Sequence, residues 1–267
     1  MNYIMYGVSY GAAICEFQNI LEVEKMNVDL LEIPLDEYDE MSKIIRFCKM
    51  KNYKYSIHIP SNYLIKKQAF ILNFRTTKQV DSYIKLVNKT LIKFSDIEYL
   101  VAHFPLHSKL KDSNKYTTLN KYYVEQIMKF AEEKRIKLLF ENVGIRNEFY
   151  MPEQYHQILK SARVCYDIGH AYTMNTLLGI ENERNLVKDF FIEFKINIEA
   201  IHLYNCNLDN YKTHSPFIND EKYLSSNYME YSDVKNNILA LPNLQYIIFE
   251  PHRKEYLKNK KIGDVII

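Results

Sequence analysis

The chain has 267 residues, 47% of them apolar and 25% charged, an ordinary globular balance with ample material for a core. A formal net charge of only +2 excludes a bulk electrostatic attraction for nucleic acid. No uninterrupted apolar run reaches the roughly 18 residues of a membrane span.

Near the start, "GVSYGAAIC" is apolar, but no Lys or Arg precedes it. Ile14 also stands before Cys15 where a lipobox takes a small residue, so the stretch reads as neither a signal nor a lipoprotein sequence. Cys15, Cys48, Cys165 and Cys206 are scattered and form no CxxC pair. Reduced thiols and a cytoplasmic location are the expectation. The Lys runs, Lys66–Lys67 and "KEYLKNKK", read as solvated faces.

Short apolar, β-rich runs recur along the chain, each followed by a polar turn. They are "YIMYGVSY" (3–10), "VDLLEIP" (28–34), "YKYSIHIP" (53–60), "EYLVAHFP" (98–105), "IKLLFENV" (136–143), "ARVCYDIGH" (162–170), "IEAIHLYN" (198–205) and "LQYIIFEP" (244–251). Most are too continuously apolar for a half-exposed antiparallel strand and suit a parallel sheet buried on both faces. Amphipathic helices lie between several of them. In 78–94, Val80, Ile84, Val87 and Leu91 fall at helical spacing, and in 185–196 Leu186, Phe190 and Phe194 repeat every four. Residues 121–134 are rich in good helix formers. No linker or low-complexity tract interrupts the alternation. Eight β/α units in roughly 250 residues predict one (β/α)8 TIM barrel spanning 1–267. A doubly wound sheet would carry a Gly-rich phosphate turn after its first strand, and "YGVSYGAAIC" has the wrong glycine spacing.

In a parallel barrel the C-terminal strand ends converge on one mouth. Read in order, those ends offer Glu32, His58, His103, Glu141, Asp167, His202 and Glu250, with only Ser9 and Tyr10 on the first strand. Carboxylates gathered in one mouth would repel each other and raise each other's pKa values, and a divalent cation removes that conflict. Taken singly, each has an ordinary structural role: His58 as a hydrogen-bonded core histidine, Glu32 as a cap or ion-pair partner. Taken together, six consecutive strands ending in His, His, Glu, Asp, His and Glu predict a metal site. His107, His156 and His252 are not expected to be ligands. Nitrogen and oxygen ligands without thiolates admit Zn, Mn, Co or Fe.

These residues resemble the xylose isomerase-like TIM-barrel superfamily, which contains sugar and sugar-phosphate isomerases and epimerases as well as endonuclease IV. Glu141, Asp167, His202 and Glu250 look like the quartet that holds one divalent metal in the epimerase branch. "HIPSNYLI" (58–65), "AHFPLH" (102–107), "FENVG" (140–144), "YDIGHA" (166–171), "IHLYN" (201–205) and "FEP" (249–251) resemble ligand motifs of endonuclease IV. That likeness implies one to three metal ions per chain. His58, His103 and Glu141 would hold a first, Glu141, Asp167, His202 and Glu250 a second, and His170 and His214 would help hold a third. Lys212 stands where that branch has an Asp, and an ammonium there disfavours a third cation.

The epimerase resemblance assigns Glu141 and Glu250 as an acid/base pair acting on opposite faces of an enediolate. Asp167 and His202 would be ligands, and His170, Arg253 and Tyr172 candidates for contact with a sugar or sugar-phosphate substrate. The alternatives are a metal-dependent phosphodiesterase at abasic DNA, for which His58 and His103 argue, and a non-haem iron oxidase acting on a peptide or small molecule. The expected partner is a small molecule, with no membrane and with nucleic acid only under the endonuclease alternative. A homo-oligomer is compatible with each.

Overall fold

The structure is a computed structural model. It describes residues 3–9, 28–35, 38–59, 62–65, 68–71, 74–104, 113–142, 155, 162–177, 185–207, 212–215 and 231–250. Eight parallel strands close into a barrel: β1 (Met5–Ser9), β2 (Leu30–Pro34), β3 (Lys54–Ile59), β6 (Leu100–His103), β7 (Leu138–Glu141), β8 (Arg163–Asp167), β9 (Ile198–Leu203) and β12 (Tyr246–Phe249). Around the ring the order is β1-β12-β9-β8-β7-β6-β3-β2. Two hairpins stand outside it, β4 (Asn62–Ile65) with β5 (Gln68–Ile71) and β10 (Asn205–Asn207) with β11 (Lys212–Ser215). All eight predicted strands form, trimmed at their ends. The predicted run 162–170 is cut at Asp167, where the chain turns directly into a helix.

The helices are α1 (Tyr38–Lys51), α2 (Thr77–Leu91), α3 (Ser113–Lys134), α4 (Ile168–Leu177), α5 (Leu186–Glu193) and α6 (Tyr231–Leu239). The spacing that predicts α2 does bury Val80, Tyr83, Val87 and Leu91. Thr76 caps that helix in a reciprocal box with Gln79. In α5, Leu186, Val187, Phe190 and Phe191 face inward, and the Phe190 ring stacks on Tyr166 of β8 at 5.2 Å. α1 has its own apolar stripe of Met41, Ile44, Ile45 and Cys48, which turns it onto the strands. Among the described residues, no helix is long and apolar enough to cross a membrane.

Strand alternation divides the core in two. Leu31, Ile33, Ile57, Ile59, Ala102, Phe140, Val164, Tyr166, Ile201 and Ile247 face the helices. A separate inner cluster fills the barrel: Leu30, Tyr99, Val101, Leu139, Cys165, Ala200, Tyr246 and Ile248. Gly7 completes this layer on β1, where a Cβ would meet Ile248 at 2.7 Å and the Leu30 carbonyl at 2.9 Å. The next inward-facing residue on each strand comes two positions later. Those residues are Ser9, Glu32, His58, His103, Glu141, Asp167, His202 and Glu250. Register sets Ser9 beside Glu32, His103 beside Glu141 and Asp167 beside His202, and between these pairs the ring steps by two residues, with Glu141 beside Cys165 and His202 beside Ile248. The apolar cluster therefore supports a staggered rim of acids and imidazoles above it.

Candidate metal centre

His58 and His103 approach Glu141 from the two strands before it. His58 Nε2 lies 2.8 Å and His103 Nε2 3.0 Å from Glu141 Oε2, and the two ring nitrogens are 2.7 Å apart. The other oxygen, Oε1, is 3.2 Å from His202 Nδ1. Glu250 Oε1 and Asp167 Oδ2 reach the same nitrogen at 3.5 and 4.0 Å. Glu141 therefore touches two groups at once, one with each oxygen.

Asp167 does two jobs. Its Oδ1 accepts the His170 backbone N–H at 2.6 Å, which makes it the N-cap of α4 with His170 at the third helical position. Its Oδ2 is left for the centre, 3.7 Å from His170 Nε2. Asn142 holds this strand end in place: its amide donates to the Asp167 carbonyl at 2.8 Å, and its oxygen accepts the Asp167 N–H at 2.7 Å. Gly169 is required by packing, because a Cβ there would fall inside the Tyr204 ring. That ring stands edge-on to His170 with centroids 6.0 Å apart.

Burial and proximity pull these groups in opposite directions. Burial opposes charge on Glu141, but His103, His202 and His58 outweigh it and hold its pKa well below the usual carboxylate range. For Asp167, burial reinforced by Glu141 and Glu250 pushes the carboxyl well up, and burial also raises Glu250. Burial brings His170 down to about 4. His58 is desolvated too, yet Glu141 and Glu32 lift it to about 10. Glu141 and Glu250, nearly alike in burial, are thus shifted in opposite directions.

The donor set fits a divalent cation. Glu141 Oε2 and Asp167 Oδ2 are enclosed and make no aligned hydrogen bond, despite ring nitrogens at 2.8 to 4.0 Å. Each buried acceptor left so costs about 1–3 kcal/mol, which a cation would offset. Three groups have ligand atoms within 4.8 Å of one another: Glu32, His58, His202 and Glu250; His58, His103 and Glu141; Glu141, Asp167 and His170.

Six of the predicted residues, His58, His103, Glu141, Asp167, His202 and Glu250, come from the strand ends, and His170 joins them from α4 beside Asp167. His214 and Lys212 lie on β11, Lys212 paired with Asn207, and their side chains fall outside the described residues. Arg253, His107, His156 and His252 also lie outside them. Tyr172, on α4, packs its ring against the outer core. Glu32 is the residue that strand-by-strand reading undervalues. It is an ion-pair partner, but of His58 at 3.1 Å and His202 at 2.9 Å. The signal was its position two residues after inward-facing Leu30, the same phase as every other residue of the layer.

No family model and no curated protein matches the chain in sequence. Solved structures do match in fold. A D-tagatose 3-epimerase-like protein superposes with a TM-score of 0.69 at 16% identity, covering 98% of this chain and 93% of that one. D-psicose 3-epimerase from Clostridium cellulolyticum H10 gives 0.62 at 14% identity over 98% and 89%. An AP endonuclease, family 2, from Brucella melitensis gives 0.63 at 11% identity over 95% and 94%. The chain therefore shares the (β/α)8 barrel fold of these proteins over nearly its whole length. Identities this low carry the fold alone.

Proposed function

We propose that the chain is a divalent-metal-dependent isomerase or epimerase of the cytoplasm, acting on a sugar or sugar-phosphate-like small molecule. The observation that supports this most is the placement of Glu141 and Glu250. In the ring order β12-β9-β8-β7 they stand on either side of the Asp167–His202 pair, and both turn toward His202 Nδ1. Glu141, Asp167, His202 and Glu250 would hold a Zn, Mn, Co or Fe ion, with His58, His103 and His170 placed to hold or flank another. A bound ion supplies Lewis acidity toward a carbonyl and an adjacent hydroxyl, which acidifies the C–H between them.

The protein's own part is to bind, orient and move one proton. Glu141, kept ionised by three imidazoles, accepts the proton from the carbon next to the carbonyl. Glu250, on the opposite flank, delivers a proton to the other face of the planar enediolate. Inversion at one carbon follows from this two-sided arrangement. His170, beside Asp167, would meet a substrate oxygen.

The test uses D-tagatose, D-psicose and L-ribulose in deuterium oxide with the metal-loaded protein. Deuterium should enter the C–H next to the carbonyl, Glu141→Gln should slow that entry by about 10²–10⁴-fold, and Glu250→Gln should slow inversion of the carbon by a similar factor. Exchange into none of these sugars with metal bound would count against the reading.

A second reading has one observation in its favour. His58 and His103 both touch Glu141 Oε2, more nitrogen ligands than a single-ion epimerase centre needs. A phosphodiesterase acting at abasic DNA would use them. Lys212 and the net charge of +2 weigh against it. Chelator-sensitive cleavage of an abasic-site duplex would decide for this alternative.

A further inference from the structure

Glu32 is completely buried and held from both sides. Its Oε2 accepts the Tyr99 hydroxyl at 3.2 Å from the apolar layer below. Its Oε1 lies 3.1 Å from His58 Nδ1 and 2.9 Å from His202 Nε2. On both rings these are the nitrogens turned away from Glu141. The opposite ones, His58 Nε2 and His202 Nδ1, stand 2.8 and 3.2 Å from the Glu141 oxygens. One carboxylate oxygen thus sits behind two imidazoles that face the same acid.

A neutral imidazole has one N–H and one lone pair, and the ring that offers its lone pair to a cation must keep its proton on the other nitrogen. We infer that Glu32 is a positioning residue that takes both of those protons, at His58 Nδ1 and His202 Nε2, and so presents His58 Nε2 and His202 Nδ1 to a divalent cation. This rests on the metal reading of the centre. A single acid then sets the tautomer of one imidazole in each of the two groups that share Glu141. Tyr99 fixes the acid's own direction by holding the oxygen that does not face the rings.

Neither contact to Oε1 is aligned as a hydrogen bond in the present arrangement, and Oε1 and His202 Nε2 make no other. The Cys165 thiol, in the apolar layer below, is a weak partner and cannot serve both rings as a carboxylate does. Glu32 could instead be a ligand, since its oxygen, His58, His202 and Glu250 form a compact group of their own. Geometry opposes that. Its Oε2 is taken by the Tyr99 hydroxyl, and its Oε1 faces the nitrogens of His58 and His202 that are turned away from Glu141. A cation beneath the imidazoles would have no open coordination position for a substrate, which catalytic sites keep.

The experiment is a zinc titration of the metal-stripped chain, combined with ¹⁵N-histidine NMR of the zinc-loaded form. The wild type should show zinc on His58 Nε2 and His202 Nδ1, with slowly exchanging protons on His58 Nδ1 and His202 Nε2. Glu32→Gln should bind zinc about 10–100-fold more weakly and lose the protection of both protons. Tyr99→Phe keeps the carboxylate but frees it, and should lower the affinity by a smaller factor while broadening the same two signals. If Glu32→Gln does not fold, that second variant alone decides. Zinc on His58 Nδ1 or His202 Nε2, or affinities within twofold of wild type in the folded variants, would overturn the assignment. A wild-type chain that binds no zinc overturns it together with the metal reading.

Discussion

At Gly169 a single methyl group has nowhere to go, because its Cβ would enter the Tyr204 ring. The clash lies one residue from His170 and two from Asp167, so it disturbs the helix start that the Asp167 side chain caps. Gly169→Ala should cost about 1–3 kcal/mol, the usual penalty for overpacking, and lower the midpoint of thermal unfolding measured in chelator. A midpoint equal to wild type would mean that Tyr204 yields freely. His58 supports a second prediction at this scale. Burial works against its charge, but Glu141 and Glu32 raise its pKa to about 10, so the metal-free ring holds an extra proton at neutral pH. A cation taking Nε2 must displace that proton, so affinity should rise as pH climbs from 7 toward 10. Calorimetry in two buffers of different ionisation enthalpy should detect proton release at pH 7, and identical heats would contradict it.

Two of the helix-to-strand turns share one geometry, and it explains how so few glycines suffice. After α1, the Asn52 N–H reaches the Lys49 carbonyl and the Tyr53 N–H the Cys48 carbonyl; after α3, Arg135 reaches Glu132 and Ile136 reaches Ala131. Both are Schellman closures, with the left-handed residue just past the helix at φ 57° for Asn52 and 56° for Arg135. Asn tolerates that conformation, whereas Arg is strained in it. Arg135→Gly should therefore raise stability by about 0.5–1 kcal/mol in thermal unfolding, with zinc affinity unchanged. A drop in stability would show that the Arg135 side chain contributes more than its backbone costs. The strand elements were legible because burial on both faces leaves a continuous apolar run. Their ends were not, since Asp167 changes from strand residue to helix cap through a hydrogen bond invisible in the letters. The stripe of α1 and the two hairpins also escaped notice.

The whole barrel separates stability from chemistry by height. At the end opposite the metal layer, Lys137 Nζ donates to Gln245 Oε1 at 2.7 Å, pairs with Glu199 at 3.1 Å and lies 5.1 Å from the Tyr246 ring centre. Arg163 closes on the same Glu199 at 3.1 Å. Lys137→Met should destabilise the fold by about 1–2 kcal/mol, the partial exposure of the ion pairs limiting the loss. Zinc binding should stay as in wild type, because Tyr99 and Tyr246 fill the barrel between the two ends. A parallel loss of zinc affinity would show that the layers are coupled.

The order of apolar runs was enough to determine eight strands, their parallel sense and the residue types at their ends, since period and burial are written in local composition. Depth, level and facing were decided only in three dimensions. Glu32 looked like an isolated acid because its partners, His58 and His202, are 26 and 170 positions further along the chain. Closure of the ring and the register between neighbouring strands bring them within 3.1 Å, and neither is a property of any single stretch.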